Sequence, residues 1–137
     1  MASILKVDTL TGVTTAGSIS VTGEGNSTTT NLQQGLAKHW VRINQVSSNA
    51  LGDTFNNSSF TDVGTGQTLF TRTSNLANDD YPAFMSTEVQ ASYTNVANST
   101  LAGAAQLSTS VMSAYHVENG SAQDTGLLTM MALGDLA

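Results

Sequence analysis

The chain has 137 residues, about the length of one domain, with four Lys and Arg against ten Asp and Glu for a net charge of −6. Only 10% of residues are charged, while 20 Thr, 16 Ser and 11 Asn dominate the polar composition. The lack of cysteine excludes disulfide frameworks and thiolate-ligated metal sites. Four basic residues cannot neutralise a run of duplex phosphates, so no nucleic-acid partner is expected. Abundant Val, Leu, Ile, Phe and Met with few charges argue against disorder. Thr and Val are stiff at Cβ and suit a pleated surface, whereas Asn, Gly and Ser supply turns. An all-β fold follows.

Residues 1–25 read as an arm. Ile4, Leu5, Val7 and Leu10 are apolar, and Ile19 and Val21 alternate with Ser18, Ser20 and Thr22 in the period of a half-buried strand. Such short strands cannot stand alone and are plausible additions to a neighbouring subunit. Ile4 and Leu5 are followed at once by Lys6 and Asp8, which is no secretory leader pattern, and no apolar run of about eighteen residues predicts a membrane span. Leu32 and Leu36, four residues apart, predict a helical turn or two within 26–37, weakened by Gly35. The first forty residues hold no aromatic except Trp40. They cannot make a core, and Leu32, Leu36 and Trp40 are expected to face sister chains.

Strands follow from residue 38. Trp40, Arg42 and Asn44 alternate with Val41 and Ile43. Residues 46–53 read as a loop, Thr54-Phe55 as a short strand and Asn56-Asn57-Ser58 as a turn. Phe60–Val63 and Gln67–Thr73 predict strands joined by Gly64-Thr65-Gly66, and 74–80 a loop. Ala83–Tyr93 is a long alternating run, followed by a connection over 95–100. Residues 104–118 predict one or two strands, with Val111, Ser113, Tyr115 and Val117 on one side. Asn119-Gly120 is the sharpest hairpin signal, and Leu127–Leu133 a final apolar strand. About eight short strands, with turns every ~8–12 residues, predict an antiparallel β-sandwich or jelly roll. It would occupy residues 38–137, behind an attachment arm over 1–37.

Reactive constellations are scarce. His39 and His116 are the two histidines, and no Gly-x-Ser-x-Gly elbow accompanies them. His39 beside Trp40 suggests a structural or interface role. His116 and Glu118 share a strand face but would need further ligands for a metal. Asp53, Asp79 and Asp80 lack the spacing of a calcium loop. The pairs Gly23/Gly25 and Gly64/Gly66 are too short for a phosphate fingerprint, and nothing brings Glu24 to Glu88 as glycosidase carboxylates. Asn-x-Ser/Thr sequons, such as those at Asn26, Asn57, Asn98 and Asn119, fit chance in so polar a chain. No enzyme, cofactor or metal site is expected.

The stretch from Ala16-Gly17-Ser18 through Gly23-Glu24-Gly25 and Asn31-Leu32-Gln33-Gln34-Gly35-Leu36-Ala37-Lys38, closed by Trp40, carries a resemblance. It is similar to a segment of tail-fibre-like and other small virion proteins of marine tailed bacteriophages, and Leu5-Lys6-Val7-Asp8-Thr9-Leu10 resembles their start. Phe55-Asn56, Ser58-Ser59, Thr61-Asp62, Gly64-Thr65-Gly66, Asn78 and Tyr81 resemble the β-rich module that follows. The resemblance covers about residues 4–81, and it implies a particle component located in the virion and built as a homotrimer. A short tail-fibre or spike-like appendage bound to phage capsid or tail proteins is the leading expectation. A capsid decoration (cement) protein is the second, because no shaft or coiled coil is evident. A glycan-binding module is the third, with a host-surface glycan in a cleft lined by Trp40, Tyr81, Tyr93 or Tyr115.

Overall fold

A computed structural model describes residues 4–12, 19–22, 29–46, 49–87, 101–118 and 120–137. Two three-residue strands, β1 (Ser20–Thr22) and β2 (Thr29–Asn31), pair antiparallel and lead into a single helical turn, α1 (Leu32–Gly35). The body then runs β3 (Ala37–Asn44), β4 (Ala50–Phe55), β5 (Asn57–Gly64), β6 (Gln67–Arg72) and β7 (Ala83–Thr87). It continues with β8 (Leu101–Gln106), β9 (Val111–Glu118), the two-residue β10 (Ser121–Ala122) and β11 (Leu128–Leu133).

These strands form two antiparallel sheets. One has the order β4-β3-β11-β7. In the other, β6 lies between β5 and β9, β8 flanks β9, and β10 folds back on the end of β9. One apolar cluster joins the inner faces: Val41 and Ile43 from β3, Leu128, Met130 and Ala132 from β11, Phe70 from β6, and Met112 and Ala114 from β9. The chain is therefore an all-β sandwich. Period-two alternation explains the assignment. On β3 Val41 and Ile43 are buried while Arg42 is exposed, and on β9 Met112, Ala114 and His116 are buried while Tyr115 is exposed. Each fully buried Phe, Ile, Leu or Met contributes about 1.5–3 kcal/mol.

Turn chemistry fixes the corners. Gly66 closes the β5–β6 hairpin at φ +72°, where a Cβ would meet the His116 carbonyl oxygen at 2.5 Å. Glu118 pairs with Ser121 across a two-residue loop in which Gly120 has φ +76°, as the Asn-Gly signal predicts. Two local expectations fail. Residues 50–53 belong to β4 and are not loop, because Ala50 and Leu51 pair with Asn44 and Ile43. Asn57 and Ser58 belong to β5 and are not turn, because Asn57 pairs with Arg72 and the corner is made by Asn56 alone. At φ +57°, Asn56 donates through Nδ2 to the Lys38 and Ser74 carbonyls at 2.8 and 3.0 Å, and its Oδ1 accepts from the Ser74 amide at 2.7 Å. One left-handed Asn with three anchors turns the chain from one sheet into the other. The second half of the predicted 83–93 run, and the 95–100 connection, lie outside the described residues.

Candidate functional site

Residues 4–12 join no helix or strand, and every one is exposed. Ile4 is 78% and Leu5 82% exposed, and Val7 and Leu10 are each 57% exposed. Lys6 and Asp8, which alternate with them, have no ion-pair or hydrogen-bond partner among the described residues. Ile19 is half-buried, and its carbonyl accepts from the Leu32 amide at 2.9 Å. Val21, opposite Thr30 in the β1–β2 ribbon, is exposed, as is Leu36. Ile19, Val21 and Leu32 thus belong to one small ribbon, while Ile4, Leu5, Val7 and Leu10 lie in the exposed segment 4–12.

Trp40 sits elsewhere. Val41 and Ile43 point into the core, so Trp40 and Arg42 lie on the outer face of their sheet. Register places Trp40 beside Phe55 on β4 and Met131 on β11, and Met131 beside Phe84 on β7. These four side chains make a continuous apolar row across all four strands. Phe55 and Phe84 are about half exposed, Met131 is 38% exposed, and Trp40 is half-buried. A groove of about 390 Å³ lies over Trp40, Met131 and Phe84 of this row, and Arg42, Ser86 and Thr129 also line it. Arg42 lies across Gly52, where an added Cβ would come within 3.3 Å of its Nη1, and Asp53 is exposed next to Gly52. Arg42 has no charged or hydrogen-bonding partner among the described residues. The opposite outer face differs: Thr61, Leu69, Ser113 and Ala105 form one cross-strand row there, with Gln67, Tyr115 and Gly103 in the next. Phe55, Phe84, Met131 and Arg42 were not identifiable as a site from sequence, because only register across four strands brings them to Trp40.

The histidines hold the fold. His39, fully buried, donates from Nε2 to Asn57 Oδ1 at 3.2 Å, and its Nδ1 has no partner. Burial, opposed by the Asn57 bond and reinforced by nearby Arg72, pushes its pKa from 6.5 down to about 4. His116 donates from Nδ1 to the Gln123 carbonyl at 2.9 Å, tying β9 to the segment after β10. Buried Arg72 donates to the Ser108 and Thr109 carbonyls at 3.3 and 3.0 Å and stacks over Tyr81 at 4.5 Å. Among the described residues no three His, Asp or Glu side chains gather where a metal ion would bind.

Among the described residues, Trp40, Tyr81 and Tyr115 do not converge on one cleft. Tyr81 is buried under Arg72, and Trp40 and Tyr115 point outward from opposite sheets. Tyr93, Glu24 and Glu88 lie outside the described residues. No known protein family matches the chain, and neither curated proteins nor solved structures yielded a significant match.

Proposed function

We propose that this chain is a bacteriophage virion structural protein, a short trimeric tail-fibre or spike-like appendage held to the particle by its N-terminal arm. One observation carries the reading: four large apolar residues within residues 4–10 are each more than half exposed, on a segment that joins no helix or strand. Burying each in a partner would contribute about 1.5–3 kcal/mol. Ordering the strap costs about 1–2 kcal/mol per residue, so a single arm binds weakly. Three arms on one trimer would raise occupancy through effective concentration. The resemblance over residues 4–81 supplies the class of particle.

The test is incorporation. A chain lacking residues 1–25 is expected to keep its β-sheet circular dichroism and to be missing from purified particles. The same loss is expected for full-length Leu5→Asp/Val7→Asp. Normal incorporation of either refutes the arm reading. The capsid-decoration reading has its own support. The longest helix among the described residues is the four-residue α1, so no helical shaft stands among them. A cryo-EM map placing the density on capsid lattice or on tail separates the two.

A further inference from the structure

We infer that the outer face of the β4-β3-β11-β7 sheet is the seat for the N-terminal arm of a second copy of this chain. The inference rests on the arm being a docking strap, and it names where one arm goes. The two outer faces of the sandwich are chemically unlike. One is crossed by the apolar row Phe84, Met131, Trp40 and Phe55, whereas on the other Leu69 lies among Thr61, Ser113 and Ala105, and Tyr115 between Gln67 and Gly103. A continuous exposed apolar row on one side marks a surface made to be covered. The arm of the same copy leaves it open, since residues 4–12 are exposed throughout.

Charge complementarity selects the occupant. In extended chain Ile4, Lys6, Asp8 and Leu10 share one side, with neighbours about 6.6 Å apart. That side sets a cation and an anion between two large apolar residues. The sheet face offers the complementary pair, partnerless Arg42 on β3 and exposed Asp53 on adjacent β4, beside its apolar row. Asp8 against Arg42 and Lys6 against Asp53 satisfies both pairs in one orientation, and the reverse orientation repels at both. The arm of one copy on the face of the next is a head-to-tail contact, and such contacts close into rings, three copies included.

Sedimentation velocity on the full chain, from about 1 to 100 µM, tests this. The wild type is expected to be oligomeric. Asp8→Lys and Arg42→Glu each replace attraction with repulsion and should weaken association about tenfold. The double variant should recover to within about threefold of wild type. Trp40→Ser, with circular dichroism unchanged, should weaken association about thirtyfold, as expected for a central aromatic anchor. A monomeric wild type, an oligomer insensitive to both charge reversals, or a double variant no tighter than the singles overturns the inference. Oligomers that persist without residues 1–12 overturn it too, and leave the particle-attachment reading standing if those chains fail to incorporate. Arm-dependent oligomers that incorporate normally without the arm do the reverse.

Discussion

Lowering the pH from 8 to 5 is expected to cost the native state about 2 kcal/mol through His39 alone. The imidazole is fully buried, with a single hydrogen bond to Asn57 and the Arg72 guanidinium close enough to disfavour a second positive charge. Its pKa falls from 6.5 in the unfolded chain to about 4 in the fold. Above pH 6.5 both states hold it neutral, and it contributes no pH dependence. As the pH falls through 6.5 the unfolded chain takes up a proton that the folded chain refuses, and stability drops until about pH 4. A shift of that size is worth about 3 kcal/mol in full, of which about 2 kcal/mol is lost by pH 5. For a domain this long, 1 kcal/mol corresponds to about 4 °C, so His39 alone should lower Tm by about 8 °C. Carboxylates titrate over part of the same range, and the comparison that isolates the imidazole is His39→Gln. Its amide can still donate to Asn57 Oδ1 but takes up no proton. Thermal unfolding of both proteins at pH 8, 6.5 and 5 is the measurement. The wild type should lose about 8 °C more than the variant between pH 8 and 5. Parallel curves, within about 2 °C, would show that the buried imidazole is not held neutral.

Two backbone positions give further tests. Asn56→Ala removes three hydrogen bonds and leaves a β-carbon residue at φ +57°, which should cost about 2–3 kcal/mol by urea unfolding. Asn56→Gly tolerates the φ but not the loss of anchors, so it should lie between wild type and Ala; equality with wild type would mean that the side chain does not hold the corner. Gly66→Ala combines φ +72° with a Cβ less than 3 Å from backbone atoms of His116 and Gln123, and should cost about 3 kcal/mol. A Tm within about 2 °C of wild type would show that the β5–β6 turn relaxes freely.

The amino-acid order determined the class of fold through local rules. Alternation marked β3, β6 and β9, Gly64-Thr65-Gly66 and Asn119-Gly120 marked two hairpins, and Leu32 with Leu36 marked α1. Each signal lies within a few residues, where side-chain period and turn stereochemistry act directly. The start of β4 was not legible, because Ala50, Gly52 and Asp53 are weak strand formers that become strand only through pairing with β3. Asn56 read as one of three turn residues, whereas its partners lie 18 residues away on both sides. The exposure of Ile4, Leu5, Val7 and Leu10 could be anticipated, since apolar residues without nearby aromatics have little core to join. The row Phe84–Met131–Trp40–Phe55 was not, because its members come from four strands separated in the chain by up to 91 residues (Met131 from Trp40). Register across a sheet is settled by which faces pack inward, and that choice is made only when both sheets close on Phe70 and Met112.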